Sequence, residues 1–144
     1  MKTNEISLIG RWEIYEAGPS VPRSLRFYVT INAKSVIHLN GNVHRAMGSP
    51  DFVMLMFDRL NSCIGIQPVT DGRPNAFPVM KKPKVGTKYI SARPFCKHFG
   101  IQFKQTRAFT EAEIDEHGIL RLGLDTTVLA DRSAQYRVGR REPK

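Results

Sequence analysis

The sequence predicts a mainly β protein with short helices, and three observations predict it. The same order of elements occurs twice: strand, turn, strand, short helix ending in Gly, strand, turn, strand. Apolar residues alternate with polar ones at period two in several short runs, as in Phe27, Val29 and Ile31 against Tyr28, Thr30 and Asn32. Gly, Pro, Asn and Asp punctuate those runs at short intervals.

The first copy spans 26–69 and the second 76–125. Val36-Ile37 aligns with Tyr89-Ile90 at a step of 53, Val43 to Gly48 with Phe95 to Gly100 at 52, and Gly65-Ile66 with Gly118-Ile119 at 53. Residues 1–25 form an N-terminal strand or extension, 26–125 one domain of two units, and 126–144 a basic tail, expected to be mobile. At 144 residues the chain is long enough for one compact core.

Within the extension, Ile6 to Ile9 and Trp12 to Tyr15 suit one strand or a short hairpin, with Trp12 packing on the main domain as core or lid. In the first copy, Ala33-Lys34-Ser35 turns the chain and Val36 to Leu39 form the second strand. Asn40 is the N-cap of a short helix whose apolar face is Val43, Met47 and Ala46, and Gly48 ends it. Phe52 to Phe57 is a continuous apolar run, which predicts a strand buried on both faces. Asp58 to Ser62 turn, and Cys63 to Ile66 return.

Thr70 to Asn75 link the copies. In the second, Ala76 to Met80 is an edge strand, because Pro78 cannot donate to a ladder. Lys81 to Lys88 form a long basic turn and Tyr89 to Ala92 a strand. Pro94 suits a helix's first turn, and Phe95 and Phe99 share one face of that helix. Thr106 to Ile114 and Ile119 to Leu124 close the copy. Apart from Val128 and Leu129, the sequence from Thr126 onward reads as loose.

The formal net charge is +9, with a pI near 9.9. The surplus lies late: 26–69 carry net +2, 76–125 net +4 and the tail net +3. Such a balance favours a polyanionic partner. No apolar run approaches the ~20 residues a membrane-spanning helix needs. Met1 to Ser7 hold no apolar stretch, so no secretory leader is expected, and two cysteines cannot build a disulfide framework. A reducing, cytoplasmic setting is the expectation.

The order of elements, and above all Val36-Ile37-His38-Leu39, Val43 to Gly48, Val53 to Phe57 and Ile64-Gly65-Ile66, resembles the AbrB/SpoVT swapped-hairpin family. The resemblance covers roughly 26–125. It departs from that pattern in having Ala33-Lys34-Ser35 in the first turn, where members often carry Gly-Arg, and Leu39-Asn40 where a Pro is usual. It implies a pseudo-two-fold barrel in which two units interleave their hairpins, closed within one chain as in tandem MraZ-like proteins, or as a homodimer. With the charge, it implies non-enzymatic DNA binding (RNA being the other polyanion), as a transcriptional regulator or antitoxin-like protein. The alternative is a protein–protein interaction or structural module on the same fold, with a protein partner.

Lys81, Lys82, Lys84 and Lys88, continued by Arg93 and Lys97, are the strongest candidates for phosphate contacts. Arg45, Arg93 and Arg107 suit base edges or bidentate phosphate contacts, and Lys34 joins them from the first turn. The commoner role of such a turn is to keep an edge strand soluble. Arg132, Arg137, Arg140, Arg141 and Lys144 would form a basic arm or a solubilising end. Cys96, His98, His117, His38 and His44 lack the spacing of a zinc site, and Cys96 and His98 point to different helix faces. Glu111, Glu113 and Asp115 alternate on one strand and read as a solvated face. No metal, cofactor or catalytic residue is expected.

Overall fold

The computed structural model describes residues 8–15, 18–19, 26–83 and 85–130. Among the described residues it is mainly β, with two main antiparallel sheets, a separate two-stranded hairpin, two short α-helices and a 3-10 turn at Leu124–Thr126. Strand β1 (Leu8–Ile9) pairs with β2 (Trp12–Glu13) in a separate hairpin. Trp12 is 76% exposed, so it is neither core nor lid.

The first half supplies β3 (Val29–Ile31), β4 (Val36–Leu39), α1 (Gly41–Ala46), β5 (Phe52–Asp58) and β6 (Cys63–Val69). The second supplies β7 (Phe77–Pro78), β8 (Met80–Lys81), β9 (Lys88–Ser91), α2 (Arg93–Phe99), β10 (Arg107–Phe109), β11 (Glu113–Ile114), β12 (Leu120–Gly123) and β13 (Thr127–Leu129). The six-stranded sheet runs β13-β10-β3-β4-β9-β8, and the five-stranded sheet β11-β12-β6-β5-β7.

Each sheet is stitched across the two halves. β4 lies against β9 with Ile37 opposite Ile90, and β6 against β12 with Ile66 opposite Leu120. β3 pairs with β10, and β5 with β7. The two ladders stay separate and no closed barrel forms. Residues 77–81 give β7 to one sheet and β8 to the other, with Val79 between them donating its N–H to the Asp51 carbonyl at 2.9 Å. The predicted strand 106–114 is likewise split into β10 and β11, because Thr110 leaves the ladder to bond the Thr126 carbonyl through both its N–H and its hydroxyl, each at 2.7 Å.

Both sheets share one core. Ile31, Ile37, Leu39 and Ile90 come from one and Val53, Ile64, Ile66, Leu120 and Leu122 from the other, with Val43 of α1 and Phe95 and Cys96 of α2. Burying an Ile or Leu side chain is worth about 1.5–3 kcal/mol, so this cluster supplies the main drive for folding. Of β5 only Val53 is fully buried; its neighbours are partly exposed, so the strand is not covered on both faces. The outer side of an antiparallel sheet needs no cover.

Local signals behave as their chemistry requires. The Asn40 side chain accepts from the Val43 N–H at 3.1 Å and caps α1. Val43, His44 and Met47 are buried, while Ala46 faces out. The His44 ring meets the Pro50 carbonyl at 2.8 Å, which explains a histidine on the inner face. Gly48 at φ 92° and Gly100 at φ 71° follow the two helices in left-handed conformations that cost Gly least. Pro94 stands in the first turn of α2, and the Phe95 and Phe99 rings lie 5.0 Å apart. β13 includes Val128 and Leu129, the apolar pair set apart from the loose tail, and pairs with β10. No helix among the described residues is long and apolar enough to cross a membrane.

Candidate nucleic-acid interface

The predicted basic residues fall at opposite ends of the six-stranded sheet. Because β4 and β9 are antiparallel, Leu39 meets Lys88 at one end and Val36 meets Ser91 at the other. At the first end stand Lys81 and Lys88, directly opposite each other on β8 and β9, and Lys82 beyond them. Lys88 Nζ donates to the Gly86 carbonyl at 3.3 Å. α1 brings Arg45 to the same end: a Cβ placed on Gly41 would meet Arg45 Nη1 at 3.0 Å and the Gly86 carbonyl at 3.6 Å. Arg45 also donates to the Asn42 side chain.

At the second end stand Lys34, in the β3–β4 turn, with Arg93 and Lys97 on α2, joined where the Ala92 N–H donates to the Ser35 carbonyl at 2.9 Å. Arg107 belongs to neither group. Its guanidinium donates to the Thr127 hydroxyl at 3.2 Å and carbonyl at 3.0 Å, fastening β10 to β13. Lys84 and the tail residues Arg132, Arg137, Arg140, Arg141 and Lys144 lie outside the described residues.

Between the two ends, a groove of about 990 Å³ crosses the outer face of this sheet. Thr30, Asn32 and His38 line it from β3, its turn and β4; Lys82, Val85 and Thr87 from the basic turn; and Gln105 and Thr106 from the segment before β10. Among the described residues no Asp or Glu lines it. The His38 ring faces Tyr89 with centroids 6.0 Å apart. Burial, and then the nearby Lys82 charge, hold the His38 pKa below the usual imidazole value.

The ion pairs among the described residues lie elsewhere: Arg73–Asp71 at 2.7 Å, His117–Glu116 at 3.6 Å and Arg121–Asp115 at 4.0 Å. Among those residues no carboxylate pairs with Lys34, Arg45, Lys81, Lys82, Lys88, Arg93 or Lys97. Among the described residues their field is therefore uncompensated at short range.

The other sequence candidates do not converge. Among the described residues no group of three or more His, Cys, Asp or Glu side chains could hold a metal ion. Burial pushes the Cys96 thiol up, partly offset by a hydrogen bond from Ser35, a direction opposite to that of an activated nucleophile. His98 is exposed and packs edge-on against Phe99 at 4.7 Å, in a cluster where Arg59 sits 5.0 Å above the same ring. Of the acidic trio, Glu113 lies in β11, Glu111 in the turn before it, and Asp115 just after it, accepting from the His117 and Ile119 N–H groups at 2.9 and 3.0 Å.

Comparison with protein-family models, curated proteins and solved structures returns no match.

The groove is the feature that sequence reading missed. Thr30, Thr87, Gln105 and Thr106 are ordinary polar residues, far apart in the chain. Only the β3–β10 and β4–β9 pairings bring them together. The one sequence signal pointing at it was the polar alternation Tyr28, Thr30, Asn32 on the outer face of β3.

Proposed function

We propose that this chain is a non-enzymatic nucleic-acid-binding protein that grips phosphates with the cluster Lys81, Lys82, Lys88 and Arg45. The observation that supports this reading is a set of cations that, among the described residues, have no carboxylate partner and stand at the rim of a groove with no described acidic lining. Lysines at strand ends and on the turn between them reach phosphates as point charges and position a strand without reading it. Lys34, Arg93 and Lys97 form a second, smaller foothold at the far end of the same sheet.

The reading includes a fold of two swapped-hairpin units of the AbrB/SpoVT type within one chain. The exchange of partners between halves favours it: β3 with β10 and β5 with β7, flanking the like-with-like pairs β4–β9 and β6–β12.

The test is fluorescence anisotropy with labelled DNA and RNA oligonucleotides across a series of salt concentrations. Binding is expected to weaken linearly in log–log form, with a slope of about −0.7 to −0.9 per phosphate neutralised. An absence of binding to every oligonucleotide at low salt would overturn the reading.

A further inference from the structure

We infer that the groove on the six-stranded sheet takes an unpaired base of a single strand, so that the preferred ligand is single-stranded rather than duplex nucleic acid. The inference rests on the nucleic-acid reading and names the form of its ligand.

Three observations support it. The first is shape and ring content. The volume of about 990 Å³ is at the upper end of the range for small-ligand sites, and the Tyr28 and His38 rings line it beside Tyr89. Aromatic faces can stack only on bases that have left a duplex. Exposed Val85 and Leu129 add apolar surface at the rim.

The second is the polar complement. Thr30 lines the groove, and its hydroxyl carries both a donor and an acceptor. The Asn32 Oδ1 is already engaged, accepting from the Lys34 and Val36 N–H groups at 2.9 and 3.0 Å, which turns its amide nitrogen toward other partners. Gln105 and Thr106 also line the groove, and side-chain amides and hydroxyls are the groups that pair with base edges.

The third is charge placement. Lys82 sits in the groove wall and Lys81 and Lys88 flank it, while the described lining residues include no carboxylate. A base can enter a neutral, polar interior while its phosphates stay with the lysines outside. The depressed pKa of His38 keeps its ring neutral near pH 7, which suits stacking.

The test is anisotropy at low salt with a labelled 12-mer single strand and a 12-bp duplex, each against the unaltered chain and two groove variants. His38→Ala removes a ring. Gln105→Trp fills the groove from an exposed loop position, so it preserves the core, and circular dichroism checks that both variants fold. The single strand should bind the unaltered chain more tightly than the duplex. Both variants should lose about five- to tenfold in single-strand affinity, at the lower end of base–aromatic stacking effects, with an unchanged salt slope. Duplex affinity should stay within about twofold, since phosphate contacts carry it. Equal or tighter duplex binding, or single-strand binding indifferent to Gln105→Trp, overturns this inference and leaves the phosphate-gripping reading intact. No binding of either form overturns both.

Discussion

The six-stranded and five-stranded sheets bury their inner faces in one core, yet they treat charge in opposite ways. The strands of the first hold Lys81, Lys88 and Arg107 and no acid, and the turn that follows β8 adds Lys82. The strands of the second hold Asp58 and Glu113 with Arg121, and Arg121 is shared with Asp115. Stability therefore draws on both sheets, whereas the uncompensated charge belongs to one. A difference that folding does not require is where function is best sought.

Matched truncations test the shared half of this comparison and carry the largest effects. Ile37→Ala in the six-stranded sheet and Ile64→Ala in the five-stranded sheet remove side chains that are 0% exposed. Each should cost about 2–5 kcal/mol by urea denaturation. A cost confined to one sheet would mean that the two do not share a core. Charge reversal tests the other half. Lys81→Glu with Lys82→Glu should flatten the salt slope of nucleic-acid binding by about 1.4–1.8, since each phosphate contact contributes 0.7–0.9. Arg121→Glu on the other sheet should leave the slope unchanged, and an equal effect would erase the distinction.

Smaller effects sharpen the picture at the border of the basic end. Asn40→Ala should lower stability by about 1 kcal/mol, because it strips the cap from α1, the helix that holds Arg45 beside the turn. Its phosphate binding should weaken along with that helix. The smallest effect is a pH dependence. Folding holds the His38 pKa below its ordinary value of 6.5, so the unfolded chain binds that proton first. Stability is then fully present above about pH 6.5 and falls as pH drops toward the folded pKa. In His38→Gln that part of the decline should vanish. Denaturation midpoints at pH 7.5 and 5.5 give the comparison.

What could be read in the sequence was what neighbouring residues decide among themselves. Asn40 three residues before Val43, Gly48 and Gly100 after the helices, and Pro94 at a helix start are local chemistry, and they placed α1 and α2 correctly. The alternation of β3 revealed which face of it looks outward. Trp12 misled because an aromatic residue is core only if the tertiary structure brings it there. Phe52 to Phe57 misled because a run of apolar residues does not state how many layers will cover it. The break at Val79 and the pairing of β13 depend on partners far along the chain, as does the groove. The basic residues were found by composition, but their division between two ends follows from the direction of β9 against β4, which no local pattern encodes.

The pairing of β3 with β10 has a consequence for how the chain is made. Ile31 lies opposite Arg107, so a strand from near the start of the domain waits for one near its end. While the ribosome is still adding the residues between them, β3 has one neighbour, β4, and an open edge on its other side. Such an edge can recruit strands from other chains. The nascent first half is thus the stage at which this protein is most exposed to misassembly, and that exposure ends only when β10 emerges.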